Sequence, residues 1–336
     1  MPKKAATKSH RKTAKPRLTP ATIEAMMHQF AQMLESADSS GTIMQSDLSA
    51  LAASLSGPSA FDRLSDKEAD AKNEAQQIAF DAMEAESEAE ARKLAKRALG
   101  LDPDCVDALV VMTGLDSHSP RELIEGLRRA VAAGERSLGE IFIRENKGDF
   151  WQLLETRPYM RAMAQLAEEL RGQGIALDAI KVYEKMLELN PNDNQGVRDP
   201  LVCLYLETDD LKSVGRLLKK YKRDRSAVFQ WARVFERFLA SDHDGACEAL
   251  KMARKANRHV ELFLCQKQPL PQEPPELYSP GSEEEAVLVL NFLSGALLTQ
   301  KKASSWLFDQ LAAHGVCLPP GEVALKRMPV ARKTMQ

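Results

Sequence analysis

Apolar residues recur along this chain with the period of a helix, not of a strand. From Ala21 to Leu34, the side chains Ile23, Met26, Met27, Phe30 and Leu34 fall on one face, with Thr19-Pro20 as cap and first turn. Residues 36–60 are rich in Ser, Gly and Asp and end in Ser56-Gly57-Pro58-Ser59, a loop or linker around one short helix. From Asp66 the helical pattern runs nearly unbroken to Asn257, interrupted only by short turns, which predicts helical hairpins. Runs of Val, Ile, Thr and Tyr alternating with polar residues are missing, so a sheet has little support.

The hairpins repeat. In LAEELRGQGIALDAIKVYEKMLELNPND, residues Leu166, Ala167, Leu170, Gly174, Ala179, Tyr183 and Pro191 fall at the spacing of a tetratricopeptide unit: two antiparallel helices, small residues at their crossing and a closing proline. Ala167 and Ala179 let the backbones approach, Leu170 and Tyr183 fill the space beside them, and Gly174 permits the tight turn. A second copy has Ile78, Ala79, Ala82, Ala91, Ala95, Ala98 and Pro103. The two prolines lie 88 residues apart, where two units of about 34 would give about 68, so roughly twenty residues are inserted, near 137–155. Cys105–Leu115 with Arg121–Ala132 makes a weaker hairpin between the copies. Two degenerate units follow, one around Leu201, Tyr205, Val214 and Leu218, the other around Trp231, Phe235, Ala246 and Leu250. Asp199 is expected to cap a helix that begins at Pro200.

The chain is therefore predicted to be all-α, a right-handed stack of about five tetratricopeptide-like hairpins, that is, an α-solenoid. Its plan is a basic tail (1–20), an N-terminal helix and linker (21–65), hairpins (66–257), a Pro-rich strap (258–282), C-terminal helices capping the open end (283–318) and a flexible tail (319–336). Composition agrees: 44% hydrophobic residues, 28% charged, only 6% aromatic, with a bias to straight-chain helix formers.

Charge is uneven. Lys3, Lys4, Lys8, Arg11, Lys12, Lys15 and Arg17 put +7 on a tail without acids, while the whole chain is −2, leaving −9 on the body. That excludes a generally basic nucleic-acid-binding body and confines contact with nucleic acid to the tail, which reads first as a solubilising terminus. The five cysteines, Cys105, Cys203, Cys247, Cys265 and Cys317, are odd in number, widely separated and never in a CxxC pair, so no disulfide framework is expected and a reducing, cytoplasmic setting follows. The longest apolar stretch, Ala286–Leu298, is too short to span a bilayer, and no secretory signal is present, so no membrane partner is expected.

Three stretches, FWQLLETRPYMRAMAQLAEEL, LNPNDNQGVR and NRHVELFLCQKQPLPQEPPELYSPGSEEEA, resemble the suppression-of-tumorigenicity-seven family and its short bacterial relatives, over roughly residues 140–300. The resemblance implies a helical-repeat fold with no assigned enzymatic activity and names no ligand. Animal members of the family are membrane proteins, and this chain departs from them in lacking a spanning segment.

Candidate chemistry is sparse. Gly172-x-Gly174 follows a helix and lacks a third glycine, so it reads as a hairpin turn, not a dinucleotide loop. Asp242-His243-Asp244 reads as a capped loop, since three consecutive side chains diverge and no fourth metal ligand is near. His259 sits in a segment expected to become extended towards Pro269, Pro269–Pro280 reads as a packed strap, and Trp151 and Tyr159 fill the core at the insertion. No cofactor or metal is expected. The function this leaves is a non-enzymatic scaffold or adaptor for an unidentified protein or peptide. In tetratricopeptide proteins the first helix of each unit lines a concave groove, which here implicates Gln76, Phe80, Met83, Asp107, Val110, Arg161, Glu168 and Arg171. Of these, Arg161 and Arg171 are expected to stand exposed. The competing readings are a nucleic-acid-associated regulator working through the basic tail, an enzyme whose site is scattered in sequence, or a groove filled by the chain's own tail or insertion.

Overall fold

The computed structural model describes residues 24, 27, 66–271, 275 and 277–317. The basic tail, the linker and the C-terminal tail lie outside the described residues, as does the N-terminal helix apart from Glu24 and Met27. Among the described residues every regular element is helical, fourteen α-helices and one 3-10 turn, with no strand. None of these helices is long and apolar enough to cross a membrane.

Five pairs of consecutive helices pack on each other across short turns: α1 (Asp66–Met83) with α2 (Glu88–Leu101), α3 (Val106–Asp116) with α4 (Pro120–Leu138), α6 (Arg157–Gly172) with α7 (Ala176–Leu189), α8 (Arg198–Glu207) with α9 (Leu211–Lys220), and α10 (Ala227–Leu239) with α11 (His243–Ala256). Each pair also touches the next, α2 on α3, α4 on α6, α7 on α8 and α9 on α10. First helices touch as well, α1 on α3, α3 on α6 and α8 on α10. Helix starts follow local chemistry, with Ser87, Ser119, Asp210, Ser226 and Asp242 each accepting a backbone N–H from the first turn of its helix. Asp242 thus serves as a cap, and His243 opens α11.

Small residues set the approach distances. Ala75, Ala79 and Ala82 of α1 and Ala91, Ala95 and Ala98 of α2 are all buried, as are Ala167 and Ala179 in the third pair. Gly134 of α4 lies under the Tyr159 ring of α6, where an added Cβ would stand 2.6 Å from Cδ2. Gly174 takes φ +73°, the left-handed conformation that closes the α6–α7 turn. The inserted stretch holds α5 (Glu140–Glu145) and the turn Leu154–Thr156, and it buries Phe142 and Phe150. Backbone N–H groups of Gly148 and Phe150 donate to the Leu189 carbonyl, which pins the insertion to the end of α7.

Beyond α11 come α12 (His259–Leu264), α13 (Glu283–Thr299) and α14 (Lys301–Ala313). Residues expected to be extended after His259 form a short helix instead; Asn257 Oδ1 accepts the His259 N–H and starts the turn. α13 is apolar on every side and accordingly packs against α8, α10 and α12. α14 folds back on α13 and on α10, where Trp306 meets Phe238 with ring centroids 5.1 Å apart.

Two further sequence expectations need correction. Asp199 does not cap: α8 begins at Arg198, and Asp193 holds its start by accepting from the backbone N–H of Val197 (2.8 Å) and Arg198 (3.1 Å). Asp193 can do so because it adopts φ +54° at the loop's turn, and Pro200 is accommodated in the first turn, where an N–H has no helical partner. The cysteines are not all free either. Cys265 and Cys317 form a disulfide across 52 residues, because the return of α14 brings its end beside the end of α12, a proximity that sequence spacing does not reveal.

Candidate functional site

The residues proposed for a groove lie on the first helices of successive pairs, and the structure joins most of them in two polar clusters. The first is centred on Arg161 of α6. Its Nε and Nη2 grip the Asp107 carboxylate of α3 at 3.1 and 2.5 Å, while Gln76 of α1 donates to the same carboxylate at 2.7 Å. The Arg161 guanidinium also lies 5.9 Å from the centre of the Phe80 ring. Its remaining nitrogen, Nη1, donates to Glu24 at 2.5 Å. Asp107 is 2% exposed, Phe80 and Val110 3% each, and Glu24 8%. Met83 is half-buried at the rim of the smaller alanine-rich core.

Electrostatics follow from this packing. Burial works against the charge of Arg161, but Asp107 and Glu24 outweigh it, and the pKa rises. Burial pushes the Glu24 carboxyl above the usual carboxylate range, helped by Asp107 and opposed by Arg161 and Arg157. Glu24 keeps one oxygen, Oε1, buried without a partner. One turn before Arg161, Arg157 reaches Met27 Sδ with Nη1 at 3.8 Å and stacks over the Trp151 ring at 5.3 Å. Trp151 and Tyr159 therefore part company. Tyr159 is core, its hydroxyl donating to Glu135 at 3.0 Å, while Trp151 stays partly exposed beneath Arg157.

The second cluster surrounds Arg171. Its Nη2 donates to Glu168 (2.8 Å) and to Asn291 of α13 (2.9 Å), and its guanidinium lies 5.0 Å from the Phe292 ring centre. Tyr183 donates to the other Glu168 oxygen at 2.5 Å. Burial opposes the Arg171 charge, but Glu168 and Tyr183 raise the pKa; burial, reinforced by Glu168, holds the Tyr183 hydroxyl well above its ordinary value.

Arg161 and Arg171 are thus not the exposed arginines expected from the helix phase. Their side chains are 26% and 10% exposed. Both are covered where they stand, Arg161 by Asp107 of α3 and by Glu24, and Arg171 by Asn291 of α13. Glu24, Arg157, Asn291 and Phe292 are the contributors that spacing missed. A signal for Glu24 exists, since it is the acid set among Ile23, Met26 and Met27 in an apolar stripe.

Lys3, Lys4, Lys8, Arg11, Lys12, Lys15 and Arg17 lie outside the described residues. His259 Nδ1 stands 3.6 Å from Glu283 Oε1. Among the described residues, no group of three or more His, Cys, Asp or Glu is arranged to hold a metal. A cavity of about 40 Å³ beside Gln76, Lys72 and Tyr159 has room for about one water.

No protein-family model matches the chain, and no solved structure does. The sequence is similar to Protein ST7 homolog of Caenorhabditis elegans, 27% identical over 252 residues, covering 65% of this chain and 46% of that protein. This chain thus spans about half the length of the curated relative it matches, and the stretch of similarity is long enough to take in most of the helical pairs.

Proposed function

We propose that this chain is a non-enzymatic scaffold, a right-handed stack of tetratricopeptide-like hairpins that takes a helical peptide or protein on the row of first helices α1, α3 and α6. The contacts of each helical pair with the next, and of first helices with one another, support the stack. The observation that carries the binding reading is the seat at Arg161, where a guanidinium already held by Asp107 takes a second carboxylate, from Glu24, across 137 positions of sequence. A planar guanidinium fixed by one carboxylate is preorganised for the next, so little ordering is needed when a second acid arrives. The other end of the same row is served by α13 through Arg171, which supports a face suited to receiving helices.

A photo-reactive residue at Met83, on the rim of this face, tests the reading against one at Leu177, which is 66% exposed on the second helix α7. The expected result is that proteins crosslinked from cells of the source organism are recovered at Met83 and absent at Leu177. Recovery at Leu177 alone would overturn it.

A further inference from the structure

Helix α9 turns Val214, Leu217 and Leu218 into the core and carries a row of cations on its other side. Lys212, Arg216, Lys219 and Lys220 lie a turn apart along that side, and all four are exposed. The loop that follows extends the row with Lys222, Arg223 and Arg225, exposed as well. Residues 211–225 thus hold seven cations and one acid, Asp224, in a chain whose net charge is −2.

Asp224 is engaged elsewhere. Its Oδ2 accepts from Nε of Arg198 at 2.6 Å and its Oδ1 from the Ser226 N–H at 2.7 Å. Those bonds, with the Tyr221 hydroxyl donating to the Pro191 carbonyl at 2.9 Å, pin the loop to the body and hold its cations in place. Among the described residues, none of the seven has a carboxylate within ion-pair distance.

Folding alone does not call for this row. Lys219 and Lys220 suit the C-terminal end of a helix dipole, but Lys212 sits in the first turn, where the dipole opposes a cation. Like charges three and four residues apart on one face also repel. What the row does create is a concentrated positive field on an otherwise acidic body, and such a field draws a polyanion. The averaged charge of the body conceals it, which is why the sequence pointed to the tail alone.

Shape and composition narrow the polyanion. From Lys212 to Lys220 the helix advances about 12 Å. One strand of a duplex advances about 3.4 Å per phosphate, so the row faces three or four phosphates. No large apolar side chain is exposed within 211–226, which leaves nothing to enter a bilayer. We propose that α9 and the loop after it form a docking surface for the phosphate backbone of nucleic acid, independent of base sequence because phosphates carry none.

The test uses the full chain with Gln at the seven Lys and Arg positions of residues 1–20, so that the tail adds nothing. A fluorescent random-sequence duplex of about 20 base pairs is followed by anisotropy between about 50 and 200 mM salt. This chain should bind, and its log affinity should fall against log salt with a slope of about −3. Lys212→Gln, Lys219→Gln, Lys222→Gln and Arg223→Gln together should weaken binding at least tenfold at the lowest salt and flatten the slope. The charge-matched set Lys93→Gln, Lys96→Gln, Lys301→Gln and Lys302→Gln, exposed on α2 and α14, should leave both nearly unchanged. The melting temperature of the first set should hold, since its side chains have no partners to lose. Should it fall, acetylation of the chain with α9 intact decides: the duplex must shield Lys212, Lys219 and Lys222 more than Lys93 and Lys96. Absence of binding, equal loss in the two sets, or equal acetylation overturns the proposal. So does capture by phosphatidylserine vesicles or by polyglutamate without binding to the duplex, which would give the surface to a lipid or to an acidic protein.

Discussion

Asp199 stands in the first turn of α8 with an edge still partly exposed, yet its Oδ1 is closed off and has no partner. Burial pushes its pKa up to about 7 from the ordinary 3.8, reinforced by the neighbouring Asp224, Asp193 and Glu285 and opposed by Arg198. The folded state therefore holds this proton over a range in which the unfolded chain has released it. Stability from this group falls as pH rises from about 4, and the full cost is present above about 7. Asp199→Asn should accordingly be stabilising at pH 8, by on the order of 1–3 kcal/mol, and nearly neutral at pH 4. Urea unfolding of both chains across that range checks the sign; a difference independent of pH would refute it. Arg161 poses the converse case. Reversal to Glu would place a third carboxylate against Asp107 and Glu24 and should cost about 3–5 kcal/mol, as for other broken buried pairs. A loss below about 1 kcal/mol by denaturant titration would mean that the seat relaxes and that Arg161 is not held as described.

At the scale of the element, the α4–α6 contact depends on a missing side chain. Gly134→Ala would force a methyl group against the Tyr159 ring, which is 1% exposed and tied to Glu135, so it cannot swing clear. The expected loss is about 1–3 kcal/mol, because overpacking here outweighs the helix propensity gained. The Cys265–Cys317 bridge ties α12 to the end of α14. Cys317→Ser should lower stability by about 2–4 kcal/mol, and the intact protein should show three thiols on alkylation under denaturing, non-reducing conditions. Five reactive thiols would contradict the pairing. The elements themselves were largely legible in the sequence. Ala167, Ala179, Gly174 and the serine and aspartate caps announce their helices locally, since each acts on groups a few residues away. What escaped the sequence depends on distant neighbours. The disulfide, the burial of Arg161 under Glu24, and the docking of α13 through Asn291 each join positions 50 or more apart. Asp199 was misplaced for a subtler reason: two aspartates compete to cap α8, and the left-handed backbone at Asp193 decides between them.

On the scale of the whole molecule, the row of first helices α1, α3 and α6 is the proposed working face, and α13 meets its far end at Arg171. Hydrogen exchange on the chain alone and with the protein most enriched by it addresses this claim without altering any residue. A partner seated on the first helices should slow exchange in α1, α3 and α6 and leave α2, α4 and α7 nearly as they were. Protection confined to the second helices, or to the basic residues 1–20, would contradict it.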